Sequence, residues 1–407
     1  MKRILFVAED VTLAQVVRLV ALARSLDPAR YDVHFACRYF DELVFRPDEF
    51  RRAEIFTVTR EAAHRALDKG KRIYDVPTLR EYVRHDLRVI AAVRPDYIIS
   101  DFRLSMAISA PVSGVPFSAL INAYWSPHAR REVFPLPDHP IIRVVGEKTA
   151  TRYFPIAMPK AFAHFAEPVN VVRKEHGLPE IGSLLQVLTW SDHTLYPDVP
   201  SLTPVSEVPP GHRFIGPVLW APDVPLPGFV SGRTEQSPPL VYATVGSSGR
   251  IDVLPRIIDA LAGLPVTAVI ATAGRAALGN LPGNVHVTDF VPGQELARRA
   301  DVVVCNGGST TGYQALAAGT PILGIAANLD QHLAISAVEA RGAGIRLRAQ
   351  AVKVRAIRAA IKTLLTSESH RRAARRVADE FGKWRANERF PRFIDEVTGS
   401  RTRARSG

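Results

Sequence analysis

Short runs of apolar and β-branched residues alternate along this chain with longer helical patterns, and that alternation limits the fold more than any other feature. Ile4–Val7, Val33–Ala36, Tyr97–Ser100 and Phe117–Ile121 read as strands in the first half. Val241–Val245, Val266–Ala271, Val285–Val287, Val302–Cys305 and Ile322–Ile325 read as strands in the second. Several are continuously apolar, which suits parallel strands covered on both faces. Val16–Ser25, Leu254–Ala262 and Thr311–Ala318 read as helices between them. The pattern predicts an α/β protein of doubly wound parallel sheets.

Ala221–Pro239 interrupts the alternation with Pro222, Pro225, Pro227, Pro238 and Pro239 and with Gly228 and Gly232. It reads as a linker stiffened by proline. The expected organisation is a first domain over 1–221, the linker over 222–238, a second domain over 239–384, and a last segment, 385–407, whose helix around Asn387–Val397 returns to the first domain. The halves also repeat weakly. Asp96 to Pro116 and Asp301 to Pro321 each span 20 positions, and each reads as strand, turn, helix, turn and next strand. The repeat sets Asp101 and Asn306 at equivalent points just past a strand's C-terminal end, where open parallel sheets bind ligands. Two such domains are expected to face an interdomain cleft. Pro127–Val172, rich in Pro, Phe and His, does not fit the alternation. It reads as an apolar-lined insertion, suited either to core packing or to holding an apolar ligand.

Composition removes other classes. At roughly 150 residues per domain, 407 residues hold two or three domains. A hydrophobic content of 47% with 23% charge excludes a largely disordered or collagen-like chain. Two cysteines, Cys37 and Cys305, give no disulfide framework and suit a reducing, cytoplasmic compartment. No apolar run reaches the roughly 18 residues of a bilayer span. Met1–Ala8 is closed by Glu9-Asp10, so it reads as a first strand rather than a leader. Lys and Arg number 52 against 40 Asp and Glu, a balance that suits an anionic partner. Arg371, Arg372, Arg375, Arg376, Arg401, Arg403 and Arg405 cluster late, which makes a peripheral membrane contact a secondary expectation. Neither a zinc spacing nor an RNA-recognition signature occurs, so no metal and no nucleic acid are expected.

The strongest chemical signal is Val302–Cys305 running into Asn306-Gly307-Gly308-Ser309-Thr310-Thr311 and a helical pattern. Glycines let the backbone approach a ligand closely. The first amides of a helix favour an anion, and three hydroxyl residues add donors for phosphate oxygens. The loop has no Lys after its glycines and no GxGxxG spacing, so it is neither a Walker loop nor a dinucleotide fingerprint. A second turn, Thr244-Val245-Gly246-Ser247-Ser248-Gly249, follows the first strand of the same half. Asn328-Leu329-Asp330-Gln331-His332 follows the next strand and sets a carboxylate beside an amide, a pair suited to sugar hydroxyls. Three loops at one sheet edge thus offer a diphosphate and a polyol their partners, which describes a nucleotide-sugar site.

With Gly307-Gly308, Gly319-Thr320-Pro321, Asp330-Gln331 and Gly342-Ala343-Gly344 in order, the region from Val241 to Glu380 resembles the donor domain of GT-B glycosyltransferases of the UDP-glycosyltransferase superfamily. Ala123-Tyr124-Trp125-Ser126-Pro127, His193-Thr194-Leu195-Tyr196 and Gly216-Pro217-Val218-Leu219-Trp220 are similar to mycobacterial-type rhamnosyltransferases of phenolic glycolipid and p-hydroxybenzoate-derivative assembly. The resemblance implies a dTDP- or UDP-sugar donor, a phenolic or lipid acceptor, and no cofactor or metal. It implies that Gly246, Ser247, Gly308, Ser309 and Thr310 contact the diphosphate, that Asp330 and Gln331 hold the sugar, and that Phe290-Val291-Pro292 lies near the base. Asn306 stands where the family commonly has His, which leaves Arg275 as a supplementary cation.

The superfamily's general base is usually a His in the first strand-to-helix loop, oriented by an Asp that Asp101 matches. Here Gln15 holds the His place, and a neutral amide is not a general base. Three readings stay open. Asp101 acts directly on the acceptor hydroxyl, Asp10 or His128 substitutes, or the chain binds a nucleotide sugar as a non-catalytic helper of another transferase. A sugar-nucleotide epimerase shares the two-domain design. A hydrolase has no Gly-x-Ser-x-Gly elbow to support it.

Overall fold

The computed structural model describes residues 1–404 except 69, 70, 132, 140, 277 and 278. Its first sheet joins β1 (Lys2–Ala8), β2 (Tyr31–Cys37), β3 (Arg51–Glu54), β4 (Tyr97–Asp101), β5 (Phe117–Leu120), β6 (His193–Tyr196) and β7 (His212–Phe214) in the order β3-β2-β1-β4-β5-β6-β7, each neighbouring pair parallel. The second joins β8 (Leu240–Thr244), β9 (Thr267–Ala271), β10 (Val285–Thr288), β11 (Val302–Cys305), β12 (Ile322–Ala326) and β13 (Gly344–Arg348) in the order β10-β9-β8-β11-β12-β13, again all parallel. Both are Rossmann-like sheets of the α/β class. The central strands are buried from end to end because crossover helices cover both faces, as their largely apolar runs require.

The two sheets reverse direction at equivalent places, between β1 and β4 and between β8 and β11. The repeated 20-residue unit has a physical basis at its ends. Asp96 accepts the Arg3 amide at 2.9 Å, and Asp301 accepts the Leu240 amide at 2.7 Å. Each carboxylate thereby fixes the register of the strand beside it. At the far end Gly114 (φ +66°) and Gly319 (φ +73°) close their helices in the left-handed region that glycine favours.

The chain forms two compact units. One holds Met1–Phe134, Arg152–Val218 and Trp384–Gly407; the other holds Pro135–Thr151 and Leu219–Lys383. The segment 135–151, read from sequence as part of the first domain, groups with the second unit. The Asp138 amide donates to the Ala327 carbonyl at 2.7 Å, and Arg348 pairs with Asp138 at 3.3 Å and Glu147 at 3.2 Å. The proline-rich stretch also groups there and carries a short helix, Gly228–Ser231. The last helix, Ala386–Ala404, packs on the first unit. Its Phe390 ring lies 6.1 Å from Phe6, and Glu396 takes a bidentate pair from Arg213 at 2.6 Å.

The insertion read over Pro127–Val172 is largely helical. Glu147–Glu175 runs 29 residues through Pro155, Pro159 and Pro168. Met158, Phe162, Ala166, Val169 and Val172 form its buried stripe, and that packing outweighs the hydrogen bonds its prolines remove. Of the late arginines, Arg371 and Arg372 are paired with Glu368. The side chains of Arg401 and Arg403, and all of Arg405, lie outside the described residues.

Candidate functional site

In the second unit the loops after β8, β9, β11 and β12 meet at the C-terminal edge of the sheet. After β8, Gly246 takes φ +57° and its amide donates to Thr244 Oγ1 at 3.0 Å. A side chain at Gly249 would stand 2.2 Å from the Val245 carbonyl oxygen and 2.8 Å from Asn306 Cβ, so only glycine fits there. After β11, Gly307 takes φ +78° and the Gly308 amide donates to Asn306 Oδ1 at 3.1 Å. Asn306 Nδ2 donates to Ser248 Oγ at 3.2 Å. Asn306 therefore ties the two glycine loops together.

The helix Ser309–Ala317 starts directly from this junction, with Gly308 as its N-cap. Its first-turn amides have no acceptor within the helix. Ser309 is buried there, and the Thr310 hydroxyl is a buried polar group with no hydrogen-bond partner. A buried, unpartnered hydroxyl beside first-turn amides and two left-handed glycines is a donor set fitted to an anion. Ser247 is half-buried in the neighbouring turn.

Two predicted residues take supporting positions. Arg275 Nη1 donates to the carbonyls of Gly246 at 2.8 Å and Gly249 at 3.0 Å, so this cation braces the loop's backbone. Gln331 is fully buried: its Oε1 accepts the Ala327 amide at 2.9 Å and its Nε2 donates to the Ser248 carbonyl at 3.3 Å. Its backbone amide is capped by Asn328 Oδ1 at 3.0 Å. Asp330, half-buried in the same first turn, is the member of the pair nearer solvent. Val291 is buried, whereas the adjacent Phe290 is exposed and offers the aromatic surface of that loop.

In the first unit Ala8 and Asp101 are register partners at the switch between β1 and β4. Asp101 is fully buried and receives Arg18 Nε at 2.9 Å and Nη2 at 2.7 Å. Arg18 Nη1 continues to Asn122 Oδ1 at 2.6 Å, and Asn122 Nδ2 to Asp198 at 3.0 Å. Gln15 is the third residue of the helix Leu13–Ala23, and its Oε1 accepts the Thr12 amide at 3.0 Å. It caps the helix. Asp10 is ion-paired to the partly exposed Arg60, and burial raises its pKa against that pairing.

His128 is not brought to this group. Its ring packs edge-on against His212 of β7 at 6.0 Å, three strands from β4 and so roughly 14 Å across the sheet at about 4.8 Å per strand. Sequence reasoning also missed Arg18, although a cation one turn after Gln15 in an apolar helix marks a buried partner. It missed Glu9 as well. Glu9 accepts the Tyr82 hydroxyl at 2.7 Å and faces Arg103 at 3.6 Å, and burial pushes its pKa up to about 7. Among the described residues no group of three His, Cys, Asp or Glu is placed to hold a metal ion.

Residues 255–385 match the family model of the erythromycin biosynthesis protein CIII-like C-terminal domain. A PGL/p-HBAD biosynthesis glycosyltransferase of Mycobacterium tuberculosis is 44% identical over 97% of this chain and 92% of that protein. A PGL/p-HBAD biosynthesis rhamnosyltransferase of Mycobacterium bovis is 45% identical over 97% of this chain and 87% of that protein. Among solved structures, spinosyn rhamnosyltransferase SpnG complexed with thymidine diphosphate shares the fold, with a TM-score of 0.68 at 21% identity over 94% of this chain and 96% of that one. With two glycine loops joined at the edge of a Rossmann-like sheet and relatives this similar over nearly the whole chain, the protein belongs to the PGL/p-HBAD biosynthesis glycosyltransferases and has the GT-B fold.

Proposed function

We propose that this chain transfers a hexose or deoxyhexose of rhamnose type from a dTDP- or UDP-sugar to a phenolic or lipid hydroxyl, with inversion at the anomeric carbon. The observation that carries this reading is the junction of the two glycine loops, held by Asn306 and Ser248 beside the unpartnered Thr310 hydroxyl. The diphosphate rests against the first-turn amides of the helix Ser309–Ala317 and the Gly246-Ser247 turn. Backbone dipoles oriented before the reaction stabilise the charge that develops on the leaving diphosphate. The Asp330 carboxylate accepts from a sugar hydroxyl, and Gln331 holds that turn in place. The rhamnosyltransferase relative supports a rhamnose-type sugar, and the thymidine diphosphate of SpnG supports dTDP as the nucleotide.

Asp10 is the base in this reading. The Asp101 carboxylate has both oxygens engaged by Arg18 and is closed to solvent. Asp10 is paired with the partly exposed Arg60, yet burial still raises its basicity, and it sits two residues past the C-terminal end of β1. As the acceptor oxygen bonds to the anomeric carbon, its proton passes to the Asp10 carboxylate. The bond from sugar to phosphate breaks with its electron pair on the diphosphate. A phenol needs less help than an alcohol because its proton is already the more acidic.

The test is a mass-spectrometric assay of the purified full chain against a panel of dTDP- and UDP-sugars with phenolic lipids, beside calorimetric titration with dTDP and UDP. A glycosylated phenol with nucleotide binding by the wild type supports the reading. Neither nucleotide binding at saturating protein overturns it.

A further inference from the structure

The helix Glu147–Glu175 is apolar on more than its buried stripe. On the opposite side Tyr153 is 57% exposed and Ile156 is 71% exposed, with Ala157, Pro159 and Ala163 exposed beside them. A large aliphatic side chain left this open is unusual on a soluble surface when its neighbours are apolar too. The 15 residues from Arg152 to Ala166 contain no Asp or Glu, but they hold Arg152, Lys160 and His164. The Arg152 guanidinium lies 5.9 Å from the Tyr153 ring centroid, and both side chains are exposed.

A tyrosine, an isoleucine one turn on and two flanking cations form a surface with an apolar centre and a positive rim. Tyrosine places an apolar ring and a polar tip where water meets hydrocarbon. Long cationic side chains lay their stems along that boundary and keep their charge at the headgroups. Helices of this kind lie in the plane of an anionic bilayer surface. We propose that the outer face of this helix, centred on Tyr153 and Ile156, docks the protein on an anionic lipid bilayer. Charge complementarity selects that occupant: a cation-rimmed face whose nearest acid, Glu167, is already paired with Arg72 meets anionic headgroups favourably. Among the described residues no helix is long and apolar enough to cross a membrane, so the contact is peripheral. It lies outside the glycine-loop site and would bring the enzyme to an acceptor carried in the bilayer.

The test uses the full chain in sedimentation with vesicles of phosphatidylcholine containing phosphatidylglycerol, and with phosphatidylcholine alone. The expected result is binding to the anionic vesicles that weakens as salt rises. Tyr153→Ser/Ile156→Ser is expected to weaken it by about tenfold or more, given the apolar area withdrawn. Arg152→Gln/Lys160→Gln is expected to remove most of the preference for phosphatidylglycerol. Arg371→Gln/Arg372→Gln, on a different helix, is expected to bind as wild type does. Calorimetric titration with dTDP is expected to be unchanged in every variant, which keeps this test apart from that of the donor site. Absence of wild-type binding to anionic vesicles overturns the proposal, as does unaltered binding by Tyr153→Ser/Ile156→Ser. Loss of self-association in that variant, read by sedimentation velocity, with vesicle binding intact would assign the face to a second copy of the chain and also overturn it.

Discussion

Arg18 grips both carboxylate oxygens of Asp101, at 2.9 and 2.7 Å, with both side chains buried. The pair takes the carboxylate that a histidine at position 15 would need, and it does so from one helical turn further along the same helix face. Breaking one half leaves an uncompensated buried charge, which typically costs about 3–5 kcal/mol. Arg18→Met is therefore expected to lower the unfolding free energy by about that amount in urea denaturation. Arg18→Met/Asp101→Leu, with no charge left alone, is expected to lose clearly less.

Gln15→His is expected not to raise turnover. The imidazole would find Asp101 already bound to Arg18, and the helix would lose the bond from the Thr12 amide to Gln15 Oε1. Loss of such a cap is expected to cost about 0.5–1 kcal/mol in a thermal melt. Single-turnover kinetics on Gln15→His check the chemical half. A faster chemical step would show that Asp101 is available to a histidine after all.

Asp10→Asn is expected to reduce kcat by about 10²–10⁴, the usual contribution of a positioned base, with dTDP affinity unchanged. In the wild type, activity needs Asp10 ionised. Burial raises its pKa above the ordinary value, so kcat/KM is expected to fall with decreasing pH and to do so above the usual range near about 4. Arg60 works in the opposite direction, so Arg60→Gln is expected to move that acid limb to still higher pH. A pH–rate profile on both proteins reads the shift.

His332 is buried with neither ring nitrogen hydrogen-bonded, and burial pushes its pKa down to about 3. A histidine in the unfolded chain takes up a proton below about 6.5, whereas the folded one stays neutral until about 3. Over that window the unfolded state binds more protons, so stability is lost as pH falls. His332→Leu is expected to gain about 1 kcal/mol at neutral pH by removing unpartnered polar atoms. It is also expected to shift the midpoint of acid unfolding to lower pH. Circular dichroism across a pH series measures both effects.

Gly249→Ala is expected to weaken dTDP binding in calorimetry by about tenfold, or 1.4 kcal/mol, while the chain still folds. Its new methyl would meet the Val245 carbonyl at 2.2 Å and Asn306 Cβ at 2.8 Å. Those atoms form the junction that aligns the two loops. Unchanged affinity would separate the β8 loop from nucleotide binding.

The α/β class, the apolar central strands and the glycine loops were readable from residue order alone, because each depends on chemistry local to the chain. A parallel strand covered on both faces must be apolar throughout, and Val302–Cys305 announces itself that way. Gly307 at φ +78° and Gly249 against a carbonyl restrict the residue type directly. Short strands with polar side chains, such as Arg51–Glu54 and His212–Phe214, lack that pattern and resemble loops. The partners of the site's polar groups were not readable. Arg18 and Asp101 are 83 positions apart, and Ser248 and Asn306 are 58 apart. Parallel crossovers bring the ends of β1 and β4, and of β8 and β11, side by side only after the sheets form. Only then does an asparagine become a tie between loops, a glutamine a helix cap and an arginine the holder of a carboxylate. Hydrogen bonding is short-ranged and directional, so the role of each group was decided by where the sheet set its neighbours.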